Sequence, residues 1–206
     1  VAVAYERATR HRRAPGRFPE LGPERSGEKP GEAPSSFTVE TQKSPVEASF
    51  RGLKAVSDKI AWASGSRGAV CRTTDGGETW EALTVPGGEK LDFRMLAAFD
   101  AERAVVANAG SPGYIFKTAD GGKTWQTAYK DERPGFFVDS LVFWDEKLGL
   151  AGGDPIDGAF LALATENGGE TWTPVQKGVL PAPEPGEAFF AASNSSLAIY
   201  GRAQVW

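Results

Sequence analysis

Residues 73–80 read TTDGGETW, a short polar turn closed by a tryptophan, and the chain repeats it. KTADGGKTW ends at Trp125 and ATENGGETW at Trp172, so the matching threonines Thr73, Thr118 and Thr165 stand 45 and 47 residues apart. A period of that length marks a propeller or another repeat array. Within each copy, Asp75 and Asp120, with Asn167 in the third, are placed to accept hydrogen bonds from the turn's own backbone. Gly77, Gly122 and Gly169 supply positive φ, and Thr79, Thr124 and Thr171 lead into Trp80, Trp125 and Trp172. Each indole is expected to bury about 150–250 Å² between sheets, which makes the turn a folding staple.

Outward from these turns, the texture is short runs of Val, Ala, Phe and Leu separated by Gly, Asp, Asn and Pro, the mark of strands and turns. Three units superpose: FRGLKAVSDKIAWASGSRGAVCRTTDGGETWEAL, FRMLAAFDAERAVVANAGSPGYIFKTADGGKTWQTAY and FVDSLVFWDEKLGLAGGDPIDGAFLALATENGGETWTPV. Each holds four strand candidates; in the second they are 94–99, 104–109, 114–118 and 124–129. The expected fold is therefore all-β, with propeller blades at 47–84, 91–129 and 136–176 and an incomplete fourth at 187–206. A propeller closes with about four to eight blades, so these roughly three and a half are expected to belong to a longer chain. Residues 1–45, rich in Arg, Glu, Pro, Gly and Ser, read as a disordered leader before the 46–206 domain.

Bulk properties narrow the function. The 206 residues are 40% hydrophobic and 24% charged with net charge −4, which gives no electrostatic case for nucleic acid. No apolar run is long enough for a membrane span, and no export signal is visible. Cys71 is the only cysteine and His11 the only histidine, which excludes an internal disulfide and a multi-cysteine metal site. Cys71 reads as a small buried strand residue. Each turn carries one acid at most at its tip, too few for a calcium loop, and three near-identical copies are what repeated architecture produces. Neither metal, cofactor nor catalytic residue is assigned.

TTDGGETW, KTADGGKTW and ATENGGETW resemble the Asp-box, or BNR repeat, and the fuller blade pattern is most similar to the bacterial photosystem II stability/assembly factor-like propellers. The resemblance covers residues 47–206 and implies a non-catalytic binding or complex-assembly protein in an extracytoplasmic compartment, with a protein or peptide partner. By analogy with the fold, the boxes lie on one face, and the second-to-third turns lie opposite with the crossovers. Ligand-face candidates are then Asn108–Gly113, Gly152–Gly158, and the crossovers 85–91, 130–137 and 177–187. Arg94 and Asp139, near the starts of innermost strands, are candidates for the central channel. Asp154 and Asp157 in GGDPIDG suit a cation, a sugar hydroxyl or a partner's basic group, and equally a Pro-centred turn capped by acids. Asp-box proteins also include glycoside hydrolases. A sialidase-like enzyme needs an arginine cluster, which Arg51, Arg67, Arg72, Arg94, Arg103, Arg133 and Arg202 do not form in sequence, whereas a xyloglucanase-like enzyme needs two carboxylates about 5–9.5 Å apart.

Overall fold

The computed structural model describes residues 40–189, 194–201 and 204–205. Residues 1–39 of the expected leader, and 190–193, 202–203 and 206 of the expected fourth unit, lie outside them. Three four-stranded antiparallel sheets follow one another along the chain. The first holds β1 (Phe50–Ala55), β2 (Ala61–Gly65), β3 (Val70–Thr73) and β4 (Glu81–Leu83). The second holds β5 (Phe93–Ala98), β6 (Ala104–Asn108), β7 (Gly113–Thr118) and β8 (Gln126–Asp131). β9 (Val138–Phe143), β10 (Gly149–Ile156), β11 (Ala159–Thr165) and β12 (Thr173–Pro174) form the third. A two-stranded ribbon, β13 (Ile199–Tyr200) and β14 (Gln204–Val205), comes last. Strands pair in sequence order within every sheet, and the first strands β1, β5 and β9 touch from sheet to sheet, whereas the last strands make no comparable contact. That is the radial blade arrangement of a propeller, with the first strand of each blade innermost.

Two apolar layers hold the blades together. Trp62, Val70 and Val85 of the first meet Phe93, Leu96, Ala98, Val106 and Phe116 of the second. Met95, Val105, Ala107 and Ile115 meet Phe136, Val138, Leu141, Leu163 and Trp172 of the third. The middle blade thus offers alternate residues of β6 to its two neighbours, Val106 to one and Val105 to the other, as the period of two requires. All five residues of β6 are buried, because this strand is covered on both faces.

Each innermost strand carries the same irregularity. The ladder of β1 with β2 skips from Phe50 to Gly52, that of β5 with β6 from Phe93 to Met95, and that of β9 with β10 from Val138 to Ser140. Arg51, Arg94 and Asp139 are the extra residues of three equivalent β-bulges, positions at which a bulge re-aims a side chain. The bulge also explains why Phe93 and Met95, two apart, enter opposite apolar layers. Opposite the third bulge stands Gly153, where a Cβ would lie 1.9 Å from the Phe137 carbonyl oxygen.

Candidate functional site

The repeated turns mark one end of each blade. In the second, buried Thr118 donates its hydroxyl to Asp120 Oδ1 at 2.9 Å and accepts the Gly122 N–H at 2.9 Å. Asp120 in turn accepts the Thr124 N–H at 2.9 Å and the Thr124 hydroxyl at 2.6 Å. Thr73, Asp75, Gly77 and Thr79 repeat the arrangement, and Gly77, Gly122 and Gly169 have φ of 92°, 86° and 84°. These hydrogen bonds hold both Asp75 and Asp120 at about 2, below the usual carboxylate range, with Thr79 and Thr124 the largest contributors. Asn167 preserves the geometry by reversing one bond: its Oδ1 accepts from the Thr171 N–H at 3.1 Å, while its Nδ2 donates to Thr171 Oγ1 at 2.9 Å. The three tryptophans differ. Trp172 is buried against Phe143 in the layer between blades two and three, Trp125 is half-buried beside the other layer, and Trp80 is half-buried and donates to Gln42 Oε1 at 2.9 Å.

The ladders place these turns at the end of the blades opposite the bulges. Ala104 pairs with Thr118 and Phe93 with Asn108, while Gly113 pairs with Asp131. The start of β5, the β6–β7 turn and the crossover from β8 to β9 therefore share one end, and the 118–125 turn lies at the other.

At the crossover end the structure brings three of the four candidates together. Arg94 Nε binds Asp92 Oδ2 at 2.8 Å, and both side chains are 29% exposed. Asp139 is 2% exposed. Burial, with the neighbouring charge of Asp154 second, pushes its carboxyl up to about 6, against the opposing backbone N–H of Asp154 and the charge of Arg94. Among the described residues, one oxygen of Asp139, Oδ2, and one of Asp92, Oδ1, are buried without a hydrogen-bond partner. Asp154 accepts the Phe189 N–H at 3.0 Å. Asp157 sits apart: it is exposed at φ 54°, its carboxylate meets Arg133 at 2.8 Å, and its carbonyl accepts from Lys177 at 3.2 Å. Arg133 also binds Asp131 at 2.7 Å, so Asp157 belongs to a rim network rather than to the Asp139 group.

Two members of this end were not singled out from the sequence. Arg51 occupies the bulge position of the first blade, a correspondence legible once Leu53, Leu96 and Leu141 are aligned. Asp92 precedes its strand and has no counterpart in a repeat column; only its contact with Arg94 reveals it.

The family model described as photosynthesis system II assembly factor YCF48 matches residues 32–173. A solved structure titled "YCF48 bound to D1 peptide" aligns with TM-score 0.51 and 19% identity, over 65% of this chain and 41% of that one. YCF48 from Cyanidioschyzon merolae aligns with TM-score 0.49 and 22% identity, over 64% and 41% of the two chains. An ancestral GH74 enzyme gives TM-score 0.48 and 19% identity, over 63% and 18%. The match thus spans less than half the length of each of these structures, and no curated protein matches.

Proposed function

Since the chain belongs to the photosynthesis system II assembly factor YCF48 family, we propose that it is a non-catalytic binding propeller whose crossover face receives a segment of a partner protein. The carrying observation is the threefold bulge, which sets a charged residue, Arg51, Arg94 or Asp139, at the same end of each innermost strand. The threonine and Asp/Asn side chains of the repeated turns bond one another, and charged side chains on the innermost strands are found at the crossover end. A solved structure of a family member is of YCF48 bound to a D1 peptide, and a peptide is the class of ligand proposed for this chain.

A random octapeptide array probed with the purified chain tests this. Binding is expected for a sequence-selective subset, weakened by Arg94→Glu and unchanged by Glu78→Gln beside the first turn. Equal binding by wild type and Arg94→Glu would reject the assigned face. Turnover of a chromogenic glycoside panel that is abolished by Asp139→Asn would replace the reading by a hydrolase.

A further inference from the structure

The innermost strands enclose a cavity of about 550 Å³, walled by β1, β5 and β9 with Asn194 and Ile199 also lining it. The ladders decide which backbone groups face it. Antiparallel pairs alternate between those that exchange hydrogen bonds and those that do not, and a residue of the second kind turns its N–H and C=O away from its partner strand. The bonds from Val56 N–H to Ile60, from Phe99 N–H to Arg103 and from Trp144 N–H to Leu148 fix that alternation in the three blades. Along each register, Leu53 and Ala55, Leu96 and Ala98, and Leu141 and Phe143 are then the residues whose backbone groups turn inward, and all of them line the cavity. Three equivalent strand edges therefore make its wall.

The chain itself shows what such an edge accepts. Asn194 donates its N–H to the Asp139 carbonyl at 3.2 Å and accepts the Leu141 N–H on Oδ1 at 2.7 Å, taking the two groups on either side of Ser140 that a neighbouring parallel strand would take. Its Nδ2 donates to the Leu96 carbonyl at 3.1 Å, so one residue serves the edges of β9 and β5 together. Among the described residues nothing comparable covers the inner edge of β1, and Leu53 is 73% exposed. We infer that the cavity takes an extended peptide by strand addition, main chain to main chain, along the inner edge of β1. An uncovered strand edge is a template for this mode, in which backbone bonds supply affinity and alternate side chains supply selectivity. The inference rests on the peptide reading above for its occupant and adds the way that occupant is held. Arg51 and Arg94 stand two residues before Leu53 and Leu96 on the same strands, so a segment received at the crossover face leads onto these edges.

Amide hydrogen exchange on the full chain should find Leu53, Ala55 and Ala98 fast and their neighbours Lys54 and Ala97 slow, because only the latter bond across a ladder. Slow exchange at Leu53 and Ala55 in the free chain would overturn the inference. The octapeptides that bind in the array are then resynthesised with a single N-methyl group at each successive position. Strand addition predicts a loss of about tenfold or more at every second residue and little between, as removal of a paired donor does. The unmodified peptides should at the same time protect the Leu53 and Ala55 amides. Ala55→Pro removes an inward N–H while leaving the bonds of the β1–β2 ladder, and should weaken the same peptides as far. Its urea midpoint identifies a folding defect, in which case the N-methyl series decides. Losses without the alternate pattern would overturn strand addition while sparing the peptide reading. Alternate losses in peptides indifferent to Arg94→Glu would uphold strand addition and reject the crossover face. An array with no binder overturns both, and self-association abolished by Ala55→Pro would replace the peptide by a second copy of the chain.

Discussion

The hydroxyl of each box threonine is a small group with a large structural duty. Thr118 is 1% exposed and holds the Gly122 N–H and Asp120 Oδ1 together, so replacing it by the near-isosteric valine leaves a buried N–H without an acceptor. Thr118→Val is expected to cost about 1–3 kcal/mol in urea unfolding, the range for an orphaned buried donor. A loss below the error of the method would show that water replaces the hydroxyl. The carboxyl groups add opposite pH dependences. Asp75 and Asp120 have folded values of about 2 against 3.8, so their contribution is present above about 4 and lost as pH falls toward 2. The double variant Asp75→Asn, Asp120→Asn should flatten thermal stability across that window, because Asn167 shows that the amide keeps the turn. Asp139 has the other sign. Its folded value near 6 lies above 3.8, so the folded state holds the extra proton, and stability declines as pH rises from about 4 through 6. Asp139→Asn is therefore expected to raise the melting temperature more at pH 7 than at pH 4; an equal change at both would show that the carboxyl does not titrate there.

At the scale of the element, the innermost strand decides what each blade presents. Its bulge lets Phe93 and Leu96 face the first blade while Met95 faces the third, and it leaves one charged residue free of the ladder. In the third blade the bulge forces the β9 backbone close to Gly153. Gly153→Ala would place a methyl group 1.9 Å from the Phe137 carbonyl oxygen, a backbone atom that cannot rotate away. Chemical denaturation should show a loss of at least about 2 kcal/mol, an overpacking cost, with the NMR shifts of Val138–Ser140 most affected. A neutral result would mean that β9 relaxes, and that the bulge is not fixed by the glycine opposite it. Strand number, order and the box turns were legible in the sequence, because period-two apolar runs and Gly-rich turns are local signals. The bulges were not: a single inserted residue leaves no compositional trace, and alternation by itself gives Arg94 and Asp139 the wrong neighbours. Arg94, Asp139 and Asp154 were marked as ligand-face candidates one by one, but their proximity was not legible, since it joins β10 to two innermost strands and only packing between blades brings them into range.

Over the molecule as a whole, the blades are tied in series. Trp62 donates to the Asp100 carbonyl at 2.9 Å and Arg72 to the Ala101 carbonyl at 2.6 Å, so the first blade grips the β5–β6 turn of the second. The second blade grips the third through Arg103 with Glu146 and Lys117 with Glu170. Arg72 is the tightest of these ties, stacked 5.5 Å from the Trp62 ring and paired with Glu81 at 2.8 Å. Stability in such an array is a sum of unit terms and nearest-neighbour terms, so a broken tie should loosen its own junction before distant ones. Cys71, adjacent in β3, reports on that junction: it is 1% exposed, and burial pushes its thiol up to about 11. The native thiol is thus expected to resist a disulfide reagent at pH 8 under conditions in which the urea-unfolded chain reacts fully. Arg72→Met keeps much of the side-chain volume but removes the donor to Ala101, and should speed labelling of Cys71 about tenfold for each 1.4 kcal/mol of junction energy lost. Hydrogen exchange on the same variant should show protection falling in β2, β3 and the 99–103 turn, and holding in β11. Equal loss in β11 would show that the blades unfold as one cooperative unit, and the serial picture of the ties would be wrong.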